Sequence, residues 1–481
     1  MLRGYRYILV DEYQDIDDVQ YRLISALAGR KAEEEGRLCI LAVGDDDQNI
    51  YAWRDTSNRF IEQFREDYSA SSSYLVDNYR SSRNIIEAAN QVIERNPHRL
   101  KSQHPIKIDV KRTESPRGGL WEEKDPARRG QVLRLLIAGD ESKYNNLQAQ
   151  AATAELQRLI GVESGEWQGC AVLARNHQYL WPIQAWCEQH GVPYYLAADK
   201  DGVLPITAQR GFVAVIEYLR ASGESLSPAH WWRRLDQTSL QPEWHTFMSQ
   251  AFAELLAELG DCELGSQAVV DWLYDYAREL RQQPAQGLYL GTVHSAKGLE
   301  FRHVVLLDGG WSNRSDTLSD ERRLYYVGMT RAEQTLTVCE FAAGNPFSRH
   351  LSNAATSKVF HGEPLPALEK RYLQLSLKDI DLDFAGRQPA EASIHRALAN
   401  LNPGDRLQLK PSDGRYLILN DNGEVVGRTA KSFHLSLECE SCRVAAVLGR
   451  RSDSCEESYQ VTHRIDQWEL VVPQLISSLT T

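Results

Sequence analysis

The sequence predicts an α/β fold built on parallel sheets, with a helical insertion and a smaller β-rich region at the carboxyl end. Three observations carry this prediction. Short, continuous apolar runs such as CAVLA (residues 170–174) lead into segments of helical periodicity, as strands covered on both faces do. The strand-helix alternation begins at Tyr7, resumes at Gln168 and resumes again at Gly287, as if one sheet were interrupted in sequence. After Phe347 the texture changes to polar, Pro-punctuated chain and then to short strands separated by Ser412-Asp413-Gly414 and Asp421-Asn422-Gly423, which are turn signals.

Taken in order, Tyr7 to Val10 reads as a strand, Val19 to Leu27 as a helix, Leu38 to Val43 as a second strand and Ser57 to Phe64 as a second helix. Tyr179 to Gln189 reads as a helix after CAVLA, Gly191-Val192-Pro193 as punctuation and YYL (194–196) as a strand. Further on, LYLGTV (288–293) and VVLLD (304–308) read as strands, Arg322 to Met329 as a helix and TLTVCEF (335–341) as a strand. Residues 205–285 are rich in Trp and Leu at helical spacing and read as the insertion. In the tail, Asp405 to Leu409, Tyr416 to Leu419 and Glu424 to Gly427 read as strands of a meander, and a small β-barrel is the expectation.

At 481 residues the chain is too long for one core, and two to four domains are expected. The composition, 42% hydrophobic and 25% charged, is that of a folded globular protein. No apolar run is long enough to span a bilayer, and acids follow the first apolar run too closely for a signal peptide. Eight scattered cysteines read as reduced thiols of a cytoplasmic protein. Cys439 and Cys442 form a CxxC with Cys455 and His463 downstream. A second close pair is missing, so ordinary half-buried thiols are expected instead of a zinc site.

A net charge of −12 opposes general affinity for nucleic acid, so any such site must be local. The stretch from Arg83 to Arg117 is the exception, with Arg95, Arg99, Lys101, Lys107, Lys111 and Arg112 and few acids. It reads either as part of a nucleic-acid surface or as a solvated basic face.

Chemistry is concentrated in a few strings. A strand ending in Asp11-Glu12 puts two carboxylates at the carboxyl edge of a parallel sheet, where open α/β sheets bind ligands. One carboxylate can hold Mg²⁺ and the other can orient or deprotonate an attacking water. Acids also close strands merely because they face solvent, but the fuller strings DEYQD (11–15) and GDDDQNIYAWR (44–54) are far more specific. Within the second, the Gln48 amide can reach a terminal phosphate. Tyr51 and Trp53 beside Arg54 suit stacking on unpaired bases, although aromatics two apart on a strand are, by themselves, more often core.

Four further segments complete a series: Asn78-Tyr79-Arg80-Ser81, Ala174-Arg175-Asn176, Thr292 to Phe301 (TVHSAKGLEF) and Tyr326 to Ala332 (YVGMTRA). In this order they resemble the motifs of superfamily 1 helicases of the UvrD/Rep/PcrA group, over about residues 5 to 345. The resemblance implies RecA-like parallel sheets of the P-loop NTPase fold, divided as follows: 1–70, the remainder of a first RecA-like domain; 71–204 and 286–350, the two parts of a second; 205–285, the helical insertion; 351–395, a linker; 396–481, a small β-rich accessory domain.

The same resemblance implies roles. Asp11 and Glu12 would be the Mg²⁺ and water carboxylates, Gln48 a γ-phosphate sensor, and Arg80 and Arg331 the arginines that reach the transferred phosphate. Tyr79 would stack on adenine and Glu300 would contact the nucleotide. Tyr51, Trp53 and Arg54 would meet single-stranded DNA, and His294 and Lys297 would link the strand to the ATP site. One departure is Asp55-Thr56, where the family has a small Gly-Ala pair.

A phosphate-binding loop of the form GxxxxGK[ST] cradles phosphates on backbone N–H groups, and no such string occurs here. The first domain is therefore expected to be incomplete, with the P-loop supplied by an amino-terminal segment or another chain. The expected activity is ATP-dependent translocation on single-stranded DNA, 3′ to 5′ by the resemblance, coupled to duplex unwinding and absent without that segment. The alternative is a non-catalytic nucleic-acid-binding or regulatory remnant.

Overall fold

The computed structural model describes residues 6–29, 38–51, 59–97, 99–138, 146–163, 165–197, 204–238, 240–280, 287–352, 355–435 and 439–479. The chain divides into two compact units, Met1–Ala197 with Gln286–Leu368, and Ala198–Ala285 with Glu369–Thr481.

The first unit is dominated by a seven-stranded, wholly parallel sheet. Its order is Ala355–Phe360, Val132–Ile137, Ala332–Phe341, Phe301–Leu306, Cys170–Ala174, Leu288–Thr292 and Tyr194–Leu196. The expected α/β class is thus the observed one, and the pieces beginning at Gln168 and Gly287 do join one sheet. The reason for the apolar runs is visible in the packing. Cys170, Val172 and Ala174 enter the core on one face, with Leu180 and Ile183. Ala171 and Leu173 enter the core on the other, with Ile85, Val92 and Tyr325. A strand covered twice favours apolar side chains at every position.

A separate parallel pair, Tyr7–Val10 with Cys39–Ala42, holds the chain's first segment. Its helix Asp18–Leu27 begins in a capping box between Asp17 and Gln20, which satisfies two otherwise orphaned N–H groups. One side of this pair is filled by Tyr13, Tyr21, Phe60 and Phe64. Elsewhere Tyr7, Leu9 and Leu41 on the strands and Val19 and Leu23 on the helix remain exposed, Leu9 at 75%.

In the second unit the expected insertion is helical, with Arg210–Ser222, Pro228–Asp236, Pro242–Leu259 and Ser266–Leu280 around Phe212, Trp231, Met248 and Leu273. The β-rich tail is a six-stranded antiparallel sheet, in the order Lys370–Gln374, Gln467–Ser478, Cys439–Arg451, Arg406–Ser412, Arg415–Asn420 and Val425–Arg428. Helices and sheet are joined by Arg210, which donates to the Leu398 and Leu401 carbonyls at 2.7 and 2.6 Å and pairs with Glu469 at 2.8 Å. Among the described residues no helix is long and apolar enough to cross a membrane.

Candidate functional site at the sheet edge

Asp11 and Glu12 leave the strand Tyr7–Val10 at its carboxyl end. Asp11 Oδ1 accepts the Glu12 N–H at 2.8 Å. Glu12 itself sits in the left-handed region, with φ 50° and ψ 40°, and opens the 3₁₀ turn Tyr13–Asp15. For a residue with a Cβ this conformation is strained and persists only where its surroundings hold it. Here they do: Gln14 donates its side-chain amide to Glu12 Oε2. Gln14 is buried, accepts the Asp45 N–H at 2.9 Å through its own side-chain oxygen, and receives the Asn49 amide on its backbone carbonyl at 2.9 Å. The second strand's loop must come this close, which is why residue 44 is glycine: a Cβ there would stand 2.6 Å from Gln14 Oε1.

The loop that follows carries Asp45, Asp46 and Asp47, with Asp46 and Asp47 buried. Two buried carboxylates next to a third that is half-buried require compensation. It comes from one short segment. Arg99 makes a two-pronged pair with Asp47, Nε to Oδ1 at 2.8 Å and Nη2 to Oδ2 at 2.6 Å. Lys101 pairs with Asp45 at 2.5 Å and Asp47 at 3.4 Å, and the Leu100 N–H binds Asp46 at 2.7 Å. The Asp46 carboxyl is raised above its ordinary range by burial and by Asp47 beside it. Arg99 and Lys101 therefore belong neither to a solvated basic face nor to an open DNA surface. Arg112, also from the basic stretch, donates to the Tyr79 and Ser81 carbonyls.

Lys297 comes from the turn after the strand Leu288–Thr292, and its side chain is only 9% exposed. Its ammonium pairs with Asp15, donates to the Gln48 carbonyl at 3.1 Å, stands 3.6 Å from Glu12 Oε2 and lies 5.1 Å from the centre of the Tyr51 ring. One cation thus ties both sheet-edge loops of the first segment to the large sheet. His294, on the same turn, meets the Ile50 carbonyl through Nε2 at 3.2 Å. Burial, with Arg175 nearby, lowers its pKa, so the ring is neutral at pH 7 and donates there. Tyr51 and His294 rings are 6.0 Å apart.

Arg331 follows the helix Leu318–Met329 and is 3% exposed. Its guanidinium donates to the Val327 and Leu299 carbonyls at 3.0 and 3.2 Å and has no carboxylate ion pair among the described residues. Burial, reinforced by Arg80, lowers its pKa to about 10, which still leaves it charged at neutral pH. A buried cation held only by neutral acceptors is poised for an anion. Arg80 pairs through Nε with Glu300 at 2.6 Å and reaches the Thr330 carbonyl at 3.5 Å. Ser81 closes on the Ala332 carbonyl at 2.7 Å, so the Asn78–Ser81 loop is fastened beside Arg331.

Gln48, Arg80 and Arg331 line one small cavity of about 70 Å³, together with Asp45, Asn78 and Thr330. The Gln48 amide is oriented by Asp45 Oδ2 at 3.0 Å. Asp11 and Glu12 are not among its walls, although the Glu12 charge is near enough to act on Arg331. Tyr79 is 70% exposed and presents an open ring. Glu300, read from the sequence as a nucleotide contact, is engaged with Arg80. Lys297, read as a DNA contact, faces carboxylates. Trp53 and Arg54, like Asp55 and Thr56, lie outside the described residues.

This is a parallel α/β architecture that gathers carboxylates, an amide and two arginines at one sheet edge. Comparison with known proteins narrows the class. The family description "UvrD/REP helicase N-terminal domain" matches residues 1–69, and "UvrD-like helicase C-terminal domain" matches residues 73–201 and 273–342, together more than half of the chain. The ATP-dependent DNA helicase UvrD1 of Mycobacterium tuberculosis is 30% identical over 430 residues, covering 70% of this chain and 55% of the relative. The ATP-dependent DNA helicase Rep of Escherichia coli is 25% identical over 429 residues, covering 69% and 59%. A solved C-terminal domain of a possible DNA helicase from a Lactobacillus covers 58% of this chain and 98% of its own at 12% identity, but with a TM-score of 0.28 that likeness carries no argument. The chain belongs to the UvrD/Rep family of helicases, and it spans little more than half the length of these relatives.

Proposed function

We propose that this chain is the greater part of a single-stranded DNA translocase that hydrolyses ATP and separates duplex DNA, moving 3′ to 5′. The observation that carries the reading is the convergence of Gln48 from the first segment with Arg80 and Arg331 from the large sheet on one cavity, beside the strained Glu12. The residues suit ATP with Mg²⁺, because buried Arg331 faces the cavity without an ion-pair partner among the described residues and the exposed carboxylates of Asp11 and Glu12 stand at the sheet edge. Asp11 would hold Mg²⁺, whose contribution is to neutralise phosphate oxygens. Glu12 orients the attacking water and takes its proton, while Gln48 contacts the terminal phosphate. Arg80 and Arg331 hydrogen-bond the charge that builds on the phosphoryl oxygens. Tyr79 stacks on the adenine ring, and Glu300, held by Arg80, contacts the nucleotide when Arg80 turns to the phosphate.

Lys297 and His294 couple this edge to the DNA path of Tyr51, Trp53 and Arg54, because both sit on one turn and touch the loop that carries Gln48 and Tyr51. The exposed Tyr7, Leu9 and Leu41 on one side of the strand pair support a further part of the proposal: they are covered by polypeptide that completes the first sheet and brings the P-loop. A cytoplasmic location fits the free cysteines.

The test is the Glu12→Gln variant, with the P-loop segment of a family relative fused ahead of the first strand. Hydrolysis is expected to fall by about 10² to 10⁴ with nucleotide affinity kept, since the amide retains the shape but cannot take a proton. Unchanged turnover would remove Glu12 from its role. The alternative, a non-catalytic DNA-binding remnant, is favoured by the lack of a P-loop string; it predicts salt-dependent binding of single strands that nucleotide does not alter, even with the segment present.

A further inference from the structure

We infer that the β-rich domain holds a Zn²⁺ ion between Asp383, Cys455 and His463. One ligand atom from each lies within 4.8 Å of the other two. Cys455 Sγ is 4.0 Å and His463 Nε2 is 3.8 Å from Asp383 Oδ1. Ligand atoms on a tetrahedral zinc, each about 2.0–2.3 Å from the ion, are roughly 3.3–3.8 Å apart, so the two distances to Asp383 Oδ1 need contract by only about half an ångström, and the whole set already lies within 4.8 Å. A thiolate, an imidazole and a carboxylate are also the donor types zinc takes.

The second, independent observation is the state of His463. Its side chain is 2% exposed, and Nε2 is buried with no hydrogen-bond partner among the described residues. The other ring nitrogen, Nδ1, is 2.9 Å from Ser452 Oγ. If Nδ1 donates to that hydroxyl and the ring is neutral, the Nε2 lone pair faces a carboxylate oxygen 3.8 Å away, and a metal ion between them satisfies both. A ligand imidazole anchored through its far nitrogen is the usual outer support of a metal site. Arg450 holds the Asp383 carboxylate in place, donating from Nε to the same oxygen, Oδ1, at 3.0 Å.

The site has a structural purpose. Cys455 and His463 lie in the loop that joins the long strands Cys439–Arg451 and Gln467–Ser478, while Asp383 lies in the turns before the helix Ser393–Ala399. The metal fastens this loop to the body of the domain, alongside the Arg464 N–H on the Gly386 carbonyl at 2.8 Å and the Trp468 indole on the Leu382 carbonyl at 2.9 Å. The sequence pair Cys439 and Cys442 takes no part.

The test is titration of the full chain with Co²⁺, whose thiolate charge-transfer band reports a sulfur ligand. One equivalent should bind and be displaced by Zn²⁺. The band should vanish in Cys455→Ala and in His463→Ala, persist in the Cys439→Ala/Cys442→Ala double variant, and require about 10- to 100-fold more metal in Ser452→Ala. Because a variant can fail for want of folding, the unaltered chain gives a second readout: saturating Zn²⁺ should protect Cys455 from alkylation. No band, a band that follows Cys439 and Cys442, or a Cys455 alkylated equally with and without Zn²⁺ would overturn the assignment. The last result would mean that His463 is a plain imidazolium partner of Asp383.

Discussion

Asp47→Ala should lower the unfolding free energy of the first unit by about 3–5 kcal/mol, because it strands the Arg99 guanidinium, whose side chain is 4% exposed, without its partner. The pairing is mutual: the Asp47 hydrogen bonds hold Arg99 above its ordinary pKa. Denaturant unfolding followed by a probe in this unit would measure the loss. The double variant Asp47→Ala/Arg99→Met should regain much of it, since a buried pair replaced by apolar groups costs far less than a pair broken. If the single and double variants unfolded at the same denaturant concentration, the pair would have no such structural weight.

Arg331→Met is the second large effect, and it separates folding from chemistry. The guanidinium is buried among neutral acceptors, so its removal frees the Val327 and Leu299 carbonyls from one donor but also takes a desolvated charge out of the core. Stability should change little. ATP turnover of the chain with its P-loop segment should fall by about 10³ to 10⁵, the range for an arginine that stabilises transferred phosphate. A variant that unfolded readily yet turned over at the normal rate per folded molecule would reassign Arg331 to structure.

The legible parts of the fold were those whose physics is local. CAVLA reads as a strand because both its faces meet apolar cores. The strand Val132–Ile137 is harder to read because Arg134 interrupts it, a charge tolerated since it pairs at 2.8 Å with Glu340 on the adjacent strand. Ala355–Phe360 is polar because it is the sheet's edge, with Val359 48% exposed. Its sequence alone carries no strand signal. The long helix Asn146–Glu163 presents apolar residues on much of its surface, so it lacks the one-sided stripe that betrays most helices.

The site shows the same division. Its strings are recognisable in sequence, whereas their pairings are not. Lys297 meets acids more than 280 positions away, and no spacing rule connects them. Arg99 and Lys101 look like part of a basic run until the three aspartates of the Gly44 loop fold onto them. Of the proposed zinc ligands, Cys455 and His463 are visible in the sequence downstream of Cys439 and Cys442, but no spacing rule points to Asp383, which the fold brings to them from some 70 residues earlier.

The most direct test of the central claim, that this edge is an ATP site completed by a P-loop from outside residues 1–481, is the ATPase rate of the 481-residue chain with and without single-stranded DNA, repeated with the P-loop segment supplied. The expected result is no rate from the chain alone and a DNA-stimulated rate, lowered about 10²- to 10⁴-fold by Glu12→Gln, once the segment is present. A Glu12-dependent rate from the chain alone, or none after the segment is supplied to a folded, DNA-binding chain, would contradict it.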